Sequence, residues 1–298
     1  MDTPGSVSLS TAEVRQRIED FTREYLRGKS PATVGTYRRS LSEFERWVAG
    51  NGGSVSFSAD SVRAYKAFLA DERGLHEVSI STYLTALRRL CQYLVDIGQL
   101  PDNPARAVKG NRRPAEHSRE VLTVAETERL VASLRPETQI EYRDAAIIFM
   151  MLYAGLSEIE LIRADVGDVE QTLLGWFLRV QGKGRSSKDQ QVAIEPPVME
   201  RIRLYLDRRG RIRPEDPLFV SHGHRSDGER LNTRSVRSRI SAYLATAGIK
   251  RNGVSPHSLT HTAAVIWLND GVPVEEVRRR MRHGTIDTTM IYKRGLKR

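Results

Sequence analysis

The sequence predicts a mainly α chain with a small antiparallel sheet, an α+β fold in two domains. Three observations carry this. Apolar residues recur at helical spacing through most of the chain. One segment, WFLRVQ-GKGRSSKDQ-QVAI, reads as two short strands around a polar, glycine-containing turn. A stretch rich in proline and arginine, residues 98–120, lacks periodicity and separates an all-helical part from a mixed one. At 298 residues there is room for two domains of ordinary size.

Residues 1–10 are expected to be disordered. The helical pattern begins at Thr11, with Val14, Ile18, Phe21 and Tyr25 on one face. Ser30-Pro31 opens a second helix, whose face is Val34, Tyr37, Leu41, Phe44 and Trp47 and which ends at GNGGS. Two more helices are expected over residues 59–73 and 78–98, and no strand before residue 100. Residues 11–100 therefore read as a bundle of four helices, residues 101–118 as a basic linker and residues 119–298 as a second domain. In that domain Thr123 is a helix N-cap with Glu126 three residues on. IEYRDAAIIFMMLYAG is a buried helix ending at Gly155, and the strand pair follows. Helical patterns then run to the end of the chain, with Gly284 expected to cap the one that ends in RRRMRHG.

Lys and Arg number 47 against 37 Asp and Glu, a formal charge of +10. Such a surplus favours a polyanionic partner, most simply nucleic acid. Hydrophobic content of 39% with 28% charged residues excludes a disordered chain. The single cysteine, Cys91, excludes an internal disulfide or a cysteine zinc cluster and fits a reducing cytoplasm. The longest apolar run, residues 145–156, is too short to span a bilayer, and MDTPGSVSLS is no signal peptide. The expected location is the cytoplasm, at the nucleoid, with no membrane association.

HSLTHTAAVIWLNDG, residues 257–271, puts His257 and His261 on one helix face. A metal pair would want the intervening acid of H-E-x-x-H or a further ligand at suitable spacing. Neither is there, so no metal and no other cofactor is expected. Lys183 sits between glycines in the turn of the strand pair, free to project toward a ligand. His283 stands near the end of a basic helix, and Tyr292 lies in TTMIYKR close to the chain end. Each alone has an ordinary reading: a solvated turn, a helix end, a surface aromatic. His222 and His224 in SHGHRS make a second, looser pair that reads as a surface loop.

In this order the motifs resemble the tyrosine recombinase (phage integrase) family over almost the whole chain. HSLTHTAAVIWLNDGVPVEEVRRRMRHGTIDTTMIY is similar to the family block H-x-L-R-H-T, apolar helix, glycine turn, helix to G/R-H, then T-T-x-x-Y. YAGLSEIELIRADVGDV is similar to G-L-R-x-x-E-L, and VQGKG to the lysine hairpin. The resemblance implies a helical core-binding domain, a linker and a catalytic domain acting on double-stranded DNA, with self-association or a partner recombinase. It implies that Tyr292 is the nucleophile attacking the scissile phosphate and Lys183 the general acid for the departing oxygen. His257 and His283 would assist proton transfer, with Glu160 and His261 in support. The expected function is site-specific recombination or integration of a mobile element. The competing expectation is an inactive DNA-binding partner of an active relative.

The pattern breaks at both phosphate-clamping arginines. Ser157 stands where the first belongs and Thr260 where the second belongs. No slip of one residue restores either, because Glu158 and His261 come next. Arg163 points well round the helix from Ser157, and spacing favours neither Arg143 nor Arg282 as a substitute. Ser157 with Glu160 fits a capping box. Thr260 is expected to bond a carbonyl one turn back. Cleavage is therefore expected to be impaired.

Overall fold

In the structure, a computed structural model, the described residues are 7–109, 120–182, 184–223, 226–249 and 251–295. The chain divides into two compact units, Met1–Pro114 and Ala115–Arg298.

The first unit begins with β1 (Ser8–Ser10) and α1 (Thr11–Glu24), followed by α2 (Pro31–Gly50) and β2 (Ser54–Ser56). It continues with α3 (Ala59–Asp71) and α4 (Glu77–Asp96). The four expected helices form, and Phe21, Leu41, Tyr65, Leu87 and Leu90 are fully buried between them. Two expectations fail here. Residues 8–10 are ordered, and strands do occur before residue 100. β1 and β2 pair antiparallel with Leu9 opposite Val55, both buried. Three residues per strand are too few for an alternation signal. Ser10 also starts α1, its N–H donating to the Glu13 carboxylate at 2.8 Å. Cys91 is fully buried, which pushes its thiol up to about 12 and leaves it a packing residue.

The first stretch of the expected linker packs on this unit. Ala105 and Val108 are buried, and the Arg88 guanidinium donates to their carbonyls at 3.2 and 3.1 Å. Residues 110–119 lie outside the described residues.

The second unit runs α5 (Val124–Ser133), α6 (Gln139–Tyr153) and α7 (Glu158–Arg163). β3 (Val169–Thr172), β4 (Gly175–Val180) and β5 (Gln190–Ile194) follow, then α8 (Pro196–Arg209) and α9 (Thr233–Thr246). α10 (His257–Asn269), α11 (Val274–Arg280) and α12 (Ile286–Gly295) close the chain. The expected hairpin is β4–β5, and β3 adds an unexpected third strand in the order β3-β4-β5. Alternate residues Leu178, Val180, Val192 and Ile194 are buried, so one sheet face packs on the core. α6 is buried from Arg143 to Leu152 and packs against α8 and α10. The architecture is mainly α with two small antiparallel sheets. Among the described residues no helix is long and apolar enough to cross a membrane.

Candidate active site

The turn between α6 and α7 is shaped by Gly155. Its φ of +62° suits glycine, and a Cβ there would fall 2.8 Å from the Trp267 ring. The turn delivers Leu156 and then Ser157, the N-cap of α7. Ser157 donates from both N–H and Oγ to the Glu160 carboxylate, at 2.8 Å each. Thr260 faces the same turn from α10. Its hydroxyl donates to the Leu156 carbonyl at 2.9 Å. The expected bond to a carbonyl one turn back is thus replaced by one that crosses to another element. The two positions that depart from the arginine pattern are neighbours in space, and Thr260 is only 4% exposed.

α10 and α12 build the other side. His257 and His261 lie one helical turn apart, their rings 4.6 Å centre to centre and nearly perpendicular. The Tyr292 hydroxyl is hydrogen-bonded to His261 Nδ1. The His283 ring stacks on the phenol at 6.1 Å, and its Nδ1 lies 2.9 Å from Thr289 Oγ1. Tyr292 is buried in an apolar cluster with Ala264, Val277 and Met281. His257, His283 and Tyr292 come together, and His261 stands against the phenol itself. Glu158 was not singled out in the sequence. It is buried, accepts from Arg237 Nε at 3.2 Å and lies 3.8 Å from His257 Nδ1.

A further departure from expectation is at the end of α11. The left-handed residue is Arg282, with φ +57°, and not Gly284. Arg282 N–H donates to the Arg279 carbonyl and His283 N–H to that of Arg278, which is the Schellman pattern. A non-glycine residue in that conformation costs about 1–2 kcal/mol. The offset comes from the side chain. The Arg282 guanidinium donates to both Glu160 oxygens, at 2.6 and 2.9 Å, and to the Gly155 carbonyl at 2.8 Å. The pair is almost wholly buried, at 7% and 5% side-chain exposure. Arg282 therefore reaches the carboxylate that also holds Ser157.

The remaining candidates are Arg143, Lys183 and the pair His222 and His224. Arg143 is a core residue, bonded to Asp144 at 3.0 and 2.7 Å and to the Val220 carbonyl at 3.0 Å. Lys183 lies outside the described residues. Beside it, the Gly182 carbonyl accepts from Arg163 Nη1 at 3.0 Å, which ties the root of the hairpin to α7. His222 lies 3.2 Å from the Tyr205 hydroxyl, and burial, aided by nearby Arg143, holds its pKa below the usual imidazole value. Its expected partner His224 lies outside the described residues.

Comparisons with known proteins bear on the family and the fold. The model of the phage integrase family matches residues 120–298, and that of the phage integrase N-terminal SAM-like domain matches residues 18–98. The chain belongs to the phage integrase family. Relatives of this integrase-family chain include tyrosine recombinase XerC of Actinobacillus succinogenes, 30% identical over 93% of this chain and 90% of that one. Tyrosine recombinase XerD of Vibrio cholerae is 29% identical over 92% of this chain and 90% of its own length. Among solved structures, XerH recombinase bound to its palindromic difH substrate aligns with a TM-score of 0.76 at 16% identity. That alignment covers 96% of this chain and 81% of XerH. The Tn1549 transposon integrase on transposon right-end DNA aligns at 0.72 and 14% identity, covering 95% and 94%. At these identities the structures speak for the fold.

Proposed function

We propose that this integrase-family chain binds double-stranded DNA, together with a second copy or a partner recombinase, and acts in site-specific recombination of a mobile element. Tyr292 is the nucleophile, Lys183 the general acid, and His257 and His283 assist. Strand cleavage by the protein alone is weak. The observation that carries this reading is the pairing within one site: a buried tyrosine–histidine cluster beside a turn refitted with hydroxyls. Ser157 and Thr260 each have a neutral oxygen bonded to a protein partner. Neither carries charge to a phosphate.

Phosphoryl transfer places negative charge on the equatorial oxygens, and preorganised cations stabilise it. Losing one such donor costs roughly 3 to 4 kcal/mol. Losing two costs about 5 to 8 kcal/mol with non-additivity, on the order of ten-thousand-fold in rate. The guanidinium groups nearest the turn do not make this good. Arg282 is compensated by Glu160 and Arg237 by Glu158. That compensation also favours a second reading, an architectural DNA-binding partner with no cleavage of its own.

Two measurements test the proposal. A bound sequence is first selected from random duplexes, and affinity for it is expected to fall steeply with salt, as phosphate contacts require. Affinity that barely changes between low and moderate salt would count against it. A nicked suicide duplex of that sequence is then expected to trap a Tyr292 adduct only slowly. Rapid trapping that Tyr292→Phe abolishes would refute impairment, and none over long incubation selects the architectural reading.

A further inference from the structure

We propose that His261 is the base that takes the proton from Tyr292. The inference rests on the recombinase reading and assigns a chemical step to a residue that reading leaves in support. A phenol is a poor nucleophile at neutral pH until its proton has somewhere to go. The acceptor has to lie within hydrogen-bond reach of that proton. His261 Nδ1 is hydrogen-bonded to the Tyr292 hydroxyl, whereas His283 offers the phenol its ring face.

The imidazole is also held in place. The residues on either side of it are tied down: Thr260 to the Leu156 carbonyl at 2.9 Å, Thr262 to the Ser258 carbonyl at 2.8 Å. Thr262 Oγ1 further accepts from Leu122 N–H at 2.9 Å. His261 itself is only 6% exposed. Its surroundings suit the uptake of charge. His257 meets it edge to face, and the Glu158 carboxylate lies beside His257. Among the described residues near α10, Glu158 pairs with Arg237 of α9, Glu160 with Arg282, and Arg143 of α6 with Asp144.

The step balances. The Tyr292 O–H bond breaks and its proton passes to Nδ1, so the resting imidazole carries its hydrogen on Nε2. The freed oxygen forms a bond to phosphorus as the bond from phosphorus to the departing DNA oxygen breaks. That oxygen takes a proton from the acid, the role given to Lys183. Religation runs the same transfers backwards.

The test uses the full chain with 3-fluorotyrosine at position 292, followed by fluorine NMR against pH without DNA. The signal is expected to move with pH as the acceptor nitrogen fills, before the range in which a phenol itself titrates. The movement is expected to vanish in His261→Gln and persist in His257→Gln. A signal unmoved until the phenol's own range, or unchanged by His261→Gln, overturns the proposal. This measurement needs neither DNA nor catalysis, so it stands apart from failure of the recombinase reading. On the selected suicide duplex, His261→Gln is expected to slow adduct formation about a hundredfold at neutral pH. It is also expected to shift the rate upward in pH toward the phenol range. An unchanged rate and profile in a folded variant overturns it as well.

Discussion

On one side of the site, α10, α12 and the turn between α11 and α12 bring a phenol and three imidazoles together, with the phenol oxygen bonded to a ring nitrogen. On the other side, the α6–α7 turn and Thr260 meet through hydroxyls and carboxylates that satisfy one another. The first side gathers side chains of the kind that can exchange protons. The second is packed as a helix terminus is packed, with each polar atom given a local partner. The difference teaches that one side of a site can be closed by local partners while the other keeps its phenol and ring nitrogens together. A capping box and a buried ion pair fill the turn, so the scaffold that presents Tyr292 persists.

The largest expected effect comes from placing arginines at both positions of the turn side. Ser157→Arg with Thr260→Arg is expected to raise trapping on the suicide duplex at least a hundredfold, since each preorganised donor contributes roughly 3 to 4 kcal/mol to the transition state. The new arginine at 157 would compete with Arg282 for Glu160. Adding Arg282→Gly, which relieves the left-handed strain, is therefore expected to raise trapping further. No gain from either combination, in variants that still bind DNA, would show that these positions do not face the phosphate.

Next in size is the buried pair that closes the turn. Glu160→Gln leaves the Arg282 guanidinium buried without its counter-charge, and breaking such pairs costs about 3–5 kcal/mol. For a unit of this size that is a fall of roughly 10 °C in the thermal transition. Glu158→Gln is expected to cost less, because its partner Arg237 is 60% exposed and solvates readily. Equal losses from the two would break the distinction between a locked turn and a surface pair. Calorimetry of the full chain reads both.

Much of the site was legible in the sequence because its signals are local. His257 and His261 are four apart, which alone puts them on one face. Ser157 and Glu160 announce their capping box within four residues. What was hidden depends on tertiary register. Nothing in TTMIYKR says which histidine Tyr292 will meet, since that is set by how α12 lies on α10. Arg282 pairs with a carboxylate 122 residues away. Its side-chain bonds offset a backbone conformation that local rules assign to glycine, which is why Gly284 was the expected cap. β3 was missed for a different reason. Its residues, VEQT, are half-exposed to exposed and carry only one β-branched apolar side chain.

The smallest effect asks whether Ser157 and Thr260 behave as one unit. Thr260→Val keeps the shape and removes the donor to the Leu156 carbonyl, so a buried acceptor loses a partner at a cost of about 1–2 kcal/mol. Ser157→Ala removes one of two bonds to Glu160 and leaves the backbone N–H in place. It is expected to cost under about 1 kcal/mol. Leu156 and Ser157 are adjacent in the chain, so loosening the turn at one weakens the other's hold. Denaturant unfolding of the two single variants and the double variant is expected to show a coupling of at least about 0.5 kcal/mol. Strict additivity would mean that the serine and the threonine were fitted separately, each to its own helix, and that the turn between them is held by Glu160 and Arg282 alone.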